Sequence, residues 1–372
     1  MRKIVGQIKQ YHWGKQADKS LIMELLCSSG NIDFLKPIDQ CSPIAEYWLG
    51  SHKSGPFKFL DENIIPLEVK IRFLLKILCV NDCLSVQIHP DKTNAIKLHQ
   101  DDPNNYPDDN PKPELVVALS KFRALCGFRS STEIQENINT CPFLKTLFKK
   151  VNGSLEITEN NLKEIIHHIL TLEKNEVVNA ISQCLKYFSD DHECSQLIRE
   201  LSSSYPEDAG ILLVLFLKLH TLDTGESLYV PANVPHAYLA GGDAIEVMVC
   251  SDNVIRAALT PKFKDLPNLM KLMAISTVSK LSPIKVPPYF TVYKLPCEEY
   301  FEVRTFQCDN SELLPFTVPY VDRQSILLII KGACRLSNGE IIEAGQSLLI
   351  DSYESMQLQE YIKLPFQFFQ AY

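Results

Sequence analysis

Four side chains of this sequence are of the types that bind transition metals, and they occur in three separate segments. Gln87 and His89 lie two positions apart in SVQIHPDK, which we predict to be a strand, so both side chains should project from the same face of a sheet. Glu114 begins the apolar run ELVVAL, where a carboxylate must be paired or must face a wet cavity. His236 lies in VPANVPHAYL, where two prolines restrict the backbone.

Together these residues supply one carboxylate, two imidazoles and one amide oxygen. Such a nitrogen and oxygen set suits zinc or another divalent transition metal, and it leaves room for water or substrate. Each residue alone also has an ordinary structural explanation, because a single histidine at a strand end is more often a hydrogen-bonded part of the fold than a ligand. The metal site is therefore a hypothesis that depends on folding to bring distant segments together.

The elements that would position these ligands change character along the chain. Residues 1–128 mix short β-rich runs such as IRFLLKILCV with Pro, Gly and Asn breaks, which is typical of sheets. Residues 129–205 carry apolar residues at three- and four-residue intervals, and STEIQENI begins with a Ser/Thr cap before a Glu, so we predict helices there. β character returns over 206–265, and 266–372 hold a helical piece followed by short alternating runs typical of a second barrel or sandwich. The predicted fold is mainly β with an α insert.

Length and charge narrow the classes of partner. A chain of 372 residues is long enough for two or three packed units, and 45% hydrophobic with 22% charged residues is the composition of a globular protein. The net charge of −8 provides no overall positive field, so nucleic acid is excluded as the expected partner. A small anion can still bind where cations gather in a cleft.

The sequence contains no pattern for export or membrane insertion. Its N-terminal MRKIVGQIKQYHWGK lacks the apolar core of a secretory signal, and no stretch reaches the roughly 18 apolar residues that a membrane span requires. We therefore expect a cytoplasmic protein without a membrane partner.

The 12 cysteines form no CxxC pair and are interpreted as buried small hydrophobes. The acidic segment 100–110 is interpreted as a solvated connection, and His167 and His168 as helix-surface residues.

Long blocks of the sequence resemble type I mannose-6-phosphate isomerases, a family of zinc enzymes in the cupin superfamily. The blocks include YHWGK, AEYWLGSHKSGP, FLLKILCVNDCLSVQIHPDK, YPDDNPKPELVVAL, GESLYVPANVPHAYL and SDNVIRAALTPKFKD. The resemblance implies two cupin-type jelly-roll units with an inserted helical domain, and one Zn²⁺ held by Gln87, His89, Glu114 and His236. It also implies an enzyme that interconverts mannose 6-phosphate and fructose 6-phosphate and so feeds GDP-mannose synthesis and glycosylation. We expect a monomer.

This reaction moves a proton between neighbouring carbons through an enediol, so negative charge develops on oxygen. The metal or a guanidinium can stabilise that oxygen, and Arg256 falls where the family is regarded as having its catalytic arginine. Candidates for the proton-transfer base are Asp252, Lys112, Glu246 and a metal-bound water, and the sequence does not choose among them. Candidate phosphate-binding cations are Lys76, Lys112, Arg256 and Lys262. Tyr238 would face the same side as His236 and could bind sugar hydroxyls, although a packing role explains it equally well.

Two positions depart from the family pattern. Pro111 stands in NPKPE where the family usually has a histidine that some schemes make a proton-transfer group, and Ala258 replaces a usual glycine. Because proline cannot carry a proton, an alternative is a sugar-phosphate-binding homologue that keeps zinc but has lost turnover. A third hypothesis is an iron cupin oxygenase, since two histidines and one carboxylate also suit iron. The fourth ligand, Gln87, and the cations of the matching blocks argue against the oxygenase.

Overall fold

The computed structural model describes residues 1–34, 38–39, 41–60, 71–296, 300–310 and 314–372. These residues form mostly β-sheet with helices, as predicted. The strands are β1 (Arg2–Val5), β2 (Gln7–Lys9), β3 (Glu46–Gly50), β4 (Lys58–Phe59), β5 (Phe73–Cys79), β6 (Val86–Ile88), β7 (Glu114–Ala118), β8 (Phe122–Phe128), β9 (Leu217–Leu222), β10 (Ser227–Val230), β11 (His236–Tyr238), β12 (Asp243–Val249), β13 (Ile255–Ala258), β14 (Lys280–Leu281), β15 (Ile284–Val286), β16 (Phe290–Tyr293), β17 (Val303–Cys308), β18 (Phe316–Val318), β19 (Ser325–Leu336), β20 (Ile341–Glu343), β21 (Ser347–Ile350) and β22 (Met356–Ala371).

The helices are concentrated in the middle of the chain. They are α1 (Leu21–Ser28), α2 (Lys92–Asp101), α3 (Ser131–Thr140), α4 (Pro142–Asn152), α5 (Glu159–Leu170), α6 (Lys174–Tyr187), α7 (Glu193–Ser204) and α8 (Leu266–Leu272), with 3-10 turns at Ala17–Lys19, Asn31–Phe34 and Ala209–Leu215. None of the described helices is both long and apolar enough to cross a membrane.

Two antiparallel sheets enclose one apolar core and position the residues of interest. The first has seven strands in the order β14-β10-β7-β12-β5-β3-β2, and the second has five in the order β13-β6-β11-β8-β9. Leu78, Val116 and Ala244 from the first sheet and Ala124 and Cys126 from the second are buried in a common core. Because side chains alternate along a strand, every second residue of both sheets faces the space between them.

The third sheet has ten strands and packs on the other face of the seven-stranded sheet. Leu75 and Ile245 of the seven-stranded sheet share a core with Leu328 and Phe369 of the ten-stranded one. Strands from both sides of the predicted division of the chain at residue 266 share sheets among the described residues. β1 pairs with β21 in the ten-stranded sheet, whereas β14 pairs with β10 in the seven-stranded sheet. Short strands such as these do not encode their distant partners locally.

Helices α3 to α7 pack on the outer side of the five-stranded sheet. Ile138, Leu147 and Ile166 of these helices share a core with Val86 and Leu125 of the sheet. The helical periodicity of residues 129–205 is confirmed here, and these residues are divided among the five helices α3 to α7. Ser130 begins α3 with a reciprocal capping box, in which its side chain and that of Glu133 bind each other's backbone N–H groups.

Removing the charge of Glu133 is expected to lower the free energy of unfolding by about 0.5–1 kcal/mol at neutral pH, a value reduced for solvent screening. Hydrogen bonds, first from Lys218 and then from Ser130, lower the pKa of Glu133 from 4.5 to about 2. Because the pKa is depressed in the folded state, this stability is present above pH 4.5 and is lost as the pH falls towards 2.

Urea unfolding of wild type and Glu133→Gln over this pH range measures the effect. The difference between the two proteins should shrink as the pH falls. Glu136→Gln, at an exposed position of the same helix, is the matched control and should change little. An equal difference at all pH values would show that the Glu133 charge contributes nothing.

Candidate metal centre

The alternation of the seven-stranded sheet sends its polar side chains into a cavity. In β5, Leu75 and Ile77 face the core shared with the ten-stranded sheet, so Lys76 points to the opposite side. In β12, Glu246 lies directly opposite Lys76 in the strand register. In β3, Trp48 is paired with Lys76. One cation, one carboxylate and one indole therefore come from three neighbouring strands.

The five-stranded sheet contributes the facing residues. His236 at the start of β11 is in register with Gln87 of β6, and Arg256 of β13 is in register with Gln87 from the other side. His89 follows β6 immediately. Short antiparallel strands thus bring an amide, two imidazoles and a guanidinium together from positions almost 170 residues apart in the sequence.

The cavity between the sheets has a volume of about 430 Å³. All of the predicted site residues except His89 and His236 line it, namely Lys76, Gln87, Lys112, Glu114, Tyr238, Glu246, Asp252, Arg256 and Lys262. Trp13 and Trp48 form part of its wall. The cavity has the size of a small-molecule site.

Three of the four predicted ligands form a compact group behind this cavity. The ligand atoms of His89, Glu114 and His236 lie within 4.8 Å of one another, and all three side chains are buried. His89 Nε2 is 3.1 Å from one oxygen of Glu114, and His236 Nε2 is 3.7 Å from the other. Elsewhere in the described residues, no other group of three histidine, cysteine or acidic side chains has this spacing.

The hydrogen bonds of the two imidazoles show that this group fits a cation. His89 Nδ1 lies 2.8 Å from the carbonyl oxygen of Asn253, and His236 Nδ1 lies 2.9 Å from that of Val234. Each Nδ1 must therefore carry the proton, which leaves both Nε2 lone pairs directed towards the carboxylate. His89 Nε2 has no hydrogen-bond partner among the described residues. Lone pairs that face one another in a buried site are the arrangement expected around a metal ion.

Burial keeps both histidines neutral. It lowers the pKa of His89 to about 3, with the charge of Lys112 acting in the same direction, and it also lowers the pKa of His236. The short contact between His89 and Glu114 is for this reason not an ion pair. Burial alone would raise the pKa of Glu114, but the adjacent charge of Lys112 opposes it, and the pKa lies well below its usual value.

Gln87 is adjacent to the group but directs its amide nitrogen, not its oxygen, towards it. Its Nε2 lies 3.5 Å from His236 Nε2, and its Oε1 accepts a hydrogen bond of 2.9 Å from Ser85. A half-turn of the amide would exchange the two atoms, and the Ser85 hydroxyl could accept in place of donating. The position of Gln87 is thus compatible with its predicted role as the fourth ligand.

Two further side chains bind Glu114 directly. Lys112 Nζ lies 3.1 Å from one carboxylate oxygen, and Tyr238 donates a hydrogen bond of 2.8 Å to the other. Burial, together with the charge of Glu114, raises the pKa of Tyr238 well above 10, so its hydroxyl keeps its proton. Tyr238 is fully buried and not half-exposed, and in this structure its hydroxyl serves Glu114.

A chain of charged groups occupies the floor of the cavity. Lys76 Nζ lies 2.7 Å from Glu246 and 3.6 Å from Glu46, and the Glu46 carboxylate accepts a hydrogen bond from the Trp48 indole. Burial and the nearby charge of Glu114 raise the pKa of Glu246 to about 7, although Lys76 opposes this. Burial would lower the pKa of Lys76, but Glu246 and Glu46 outweigh it and raise that pKa.

Arg256 and Lys262 form a positive region at another part of the cavity wall. Burial lowers the pKa of both side chains, and for Lys262 the charge of Arg256 adds to the effect. Lys262 lies over the ring of Tyr11, with its Nζ 5.5 Å from the ring centroid. Neither cation has an ion pair within the described residues, so both remain free to bind an anion.

Asp252 lies near the rim and has a partner that the sequence did not reveal. His52 Nε2 is 3.4 Å from an Asp252 oxygen, and His52 Nδ1 accepts a hydrogen bond of 3.2 Å from the backbone N–H of Ser54. His52 is buried and Asp252 is exposed. No spacing rule links two residues that are 200 positions apart.

Glu46 and Trp48 could have been found from the sequence, because the alternation in EYWLG places them on one face.

The interpretation of the acidic segment 100–110 as a solvated connection was too simple. Its first two residues end α2, and Asp108 and Asn110 bind the segment around Asn253. The cysteines are mostly buried as predicted, except that Cys27 and Cys41 are exposed; Cys297 lies outside the described residues.

Comparisons with known proteins agree with the geometry. A family model for the catalytic domain of type I phosphomannose isomerases matches residues 1–70 and 66–131. Mannose-6-phosphate isomerase from Bos taurus is 33% identical, with 95% of this chain and 93% of the relative covered. The enzyme from Homo sapiens gives the same values, and mannose-6-phosphate isomerase 1 from Arabidopsis thaliana is 32% identical over 96% of this chain and 91% of its own.

Solved structures show the same fold. A single-residue variant of phosphomannose isomerase from Salmonella typhimurium is 25% identical and superposes with a TM-score of 0.83, covering 100% of this chain and 99% of its own. A second structure from that organism, described as mannose 6-phosphate isomerase bound to fructose 6-phosphate and zinc, has the same TM-score and coverage at 24% identity. At that identity the similarity is one of fold.

Proposed function

This chain belongs to the type I phosphomannose isomerase family, and from this premise we propose that it interconverts mannose 6-phosphate and fructose 6-phosphate. The observation that carries the proposal is the shared cavity. One wall adjoins the buried group of His89, Glu114 and His236, and another presents Arg256 and Lys262. A sugar phosphate needs both a site for its hydroxyl oxygens and cations for its phosphate.

We assign one Zn²⁺ per chain to His89, Glu114 and His236, with Gln87 as the fourth ligand. A bound zinc supplies a Lewis acid that stabilises negative charge on a sugar oxygen. The protonated Nδ1 atoms fix the orientation of both imidazoles, and Tyr238 and Lys112 fix the carboxylate of Glu114. These contacts keep the ligands in place before substrate arrives.

The cations of the cavity bind and stabilise the substrate. Lys262 is placed to hold the phosphate, because its exposed side chain lines the cavity near a second cation and lacks a carboxylate partner within the described residues. Arg256 is paired with Gln87 in the sheet and lines the same cavity, and we assign its guanidinium the stabilisation of the oxygen that becomes negative in the enediol. Both roles need a charge that persists at neutral pH.

Proton transfer between the two carbons requires a base whose pKa is near neutral. Glu246 fulfils this condition, since burial and Glu114 raise its pKa to about 7 and Lys76 holds its carboxylate at 2.7 Å. Asp252 is the second candidate, oriented by His52. Lys112 contacts Glu114, and we assign it a positive charge that supports the carboxylate and the developing oxyanion.

The test is a metal analysis combined with a turnover assay on the purified protein. Zinc-loaded protein should convert mannose 6-phosphate to fructose 6-phosphate, detected by a coupled enzyme that consumes the ketose phosphate. Binding of mannose 6-phosphate without turnover would favour the non-catalytic homologue. Iron in place of zinc would favour the oxygenase.

Pro111→His distinguishes the isomerase from the impaired homologue. Pro111 is buried directly before Lys112, at the entrance to β7. If the wild-type protein is slow, the variant should raise kcat, because an imidazole at this position can carry a proton. Pro111→Ala is the control, since it removes the ring without adding a proton carrier. An unchanged kcat in Pro111→His would show that no proton-transfer group is needed there.

Several finer features belong to the same proposal. We propose that the sheets form two cupin-type jelly-roll units, with α3 to α7 as an inserted domain between the two parts of the first unit. The monomeric state and the cytoplasmic location remain predictions from the sequence. The product would supply GDP-mannose synthesis and glycosylation.

A further inference from the structure

The buried side-chain amide of Asn253 joins two loops that lead to strands of different sheets. One loop precedes β7 and the other precedes β13. Asn253 is fully buried, and its Nδ2 donates hydrogen bonds to the carbonyl oxygens of Asp108 and Asn110, at 2.7 and 2.9 Å, and approaches Asp108 Oδ1 at 3.2 Å. The amide oxygen of Asn253 has no hydrogen-bond partner within the described residues. The side chain is thus oriented by its donors alone. We call Asp108, Asn110, Ser251 and Asn253 the clasp.

Asp108 and Ser251 make the remaining contacts of the clasp. The Asp108 carboxylate also accepts hydrogen bonds from the backbone N–H groups of Asn110, at 2.9 Å, and Asp252, at 2.8 Å. The Ser251 hydroxyl donates to the carbonyl oxygen of Asn110 and accepts from the backbone N–H of Asn253, both at 3.2 Å. Four hydrogen bonds and one close polar contact therefore join the two loops, and two more hydrogen bonds brace them from within.

Each side of the clasp leads to a metal ligand. The carbonyl oxygen of Asn253 accepts the hydrogen bond from His89 Nδ1, at 2.8 Å, which sets the tautomer and the direction of that ring. On the other side, only three residues separate Asn110 from Glu114. His89 follows a strand of the five-stranded sheet, whereas Glu114 begins a strand of the seven-stranded sheet. The clasp consequently connects the two halves of the ligand group.

Only an amide suits the Asn253 position. Its NH₂ group meets two carbonyl oxygens and a carboxylate oxygen, all of which are acceptors. Alanine would leave these buried acceptors without a donor, and aspartate would add a negative charge beside Asp108. Either change should move the Asn253 carbonyl and with it the His89 ring.

We propose that Asn253 is a positioning residue that sets the zinc affinity of the chain by holding His89 and Glu114 at a fixed separation. This inference rests on the metal site of the proposed function and assigns the site a support outside its ligands. Loss of such a support typically lowers metal affinity by about 10- to 100-fold.

The test measures zinc affinity directly, without reference to turnover. Apo protein of wild type, Asn253→Ala and Asn253→Asp competes with a chromophoric chelator for zinc. We expect affinity to fall about 10-fold for alanine and up to about 100-fold for aspartate. The visible spectrum of the Co²⁺-loaded proteins should shift in both variants, because it responds to ligand geometry and not to overall stability.

Two further variants keep the test decisive. Asp109→Asn removes a charge next to the clasp, from a side chain that binds the exposed Lys92 instead, and should leave zinc affinity and the cobalt spectrum unchanged. Asp108→Asn keeps the shape of its side chain but weakens three accepted hydrogen bonds, and it should lower affinity even if the Asn253 variants fail to fold. Unchanged affinity and spectrum in the folded Asn253 and Asp108 variants would overturn the inference while the proposed function stands. A wild-type protein that binds no zinc would overturn both.

Discussion

Replacement of His236 by alanine is expected to abolish both metal content and isomerase activity. The imidazole is fully buried, and its Nδ1 is committed to the carbonyl oxygen of Val234, so Nε2 is fixed at 3.7 Å from Glu114. Removal of the imidazole leaves a buried space beside His89 and Glu114. A water molecule in that space would be a weaker zinc ligand than the imidazole. We expect a loss of zinc affinity larger than the roughly 100-fold that outer-shell changes produce.

Metal analysis after dialysis and the coupled assay with mannose 6-phosphate measure the two effects. His220→Ala is the matched control, because His220 is also a buried histidine of the five-stranded sheet but binds the carbonyl oxygen of Cys126, at 3.0 Å. This control should keep its zinc, although it should be less stable. A His236→Ala protein that retains stoichiometric zinc would contradict the ligand assignment.

The sequence predicted the parts of the site that depend on local pattern. The two-residue spacing of Gln87 and His89 indicated a pair of neighbouring candidate ligands, because strand geometry is local, and in the structure Gln87 lies in β6 and His89 directly follows it. The resemblance to a known family added the long-range step, since it linked Glu114 and His236 to the same site. The structure then showed that the three ionisable ligands converge.

Contacts between distant loops could not be predicted in this way. The contact between His52 and Asp252 and the clasp around Asn253 join residues that are more than 140 positions apart, through single hydrogen bonds and not through repeated patterns. The same limit applies to β1, whose four residues give no sign that they pair with β21 near the end of the chain. Register and strand order decide such contacts, and both are properties of the complete fold.

Replacement of Arg256 by alanine is expected to leave zinc bound while turnover collapses. Arg256 adjoins Gln87 in the sheet and lines the cavity, and it is not one of the residues that we assign as zinc ligands. Its proposed task is to stabilise negative charge in the transition state, and loss of one such group typically lowers kcat by about 100- to 1,000-fold. Arg256→Lys should recover only part of the rate, because an ammonium lacks the planar set of donors.

The assay should separate kcat from KM, and metal analysis should accompany it. Arg123→Ala is the matched control, since Arg123 belongs to the same five-stranded sheet but forms an ion pair with Glu200 at 2.6 Å, away from the cavity lining. Its turnover should stay close to that of the wild type. Loss of zinc in Arg256→Ala would show that the arginine supports the metal site, whereas normal turnover would remove it from the reaction. A low kcat with full zinc occupancy would support the proposed role of the arginine at the reacting oxygen.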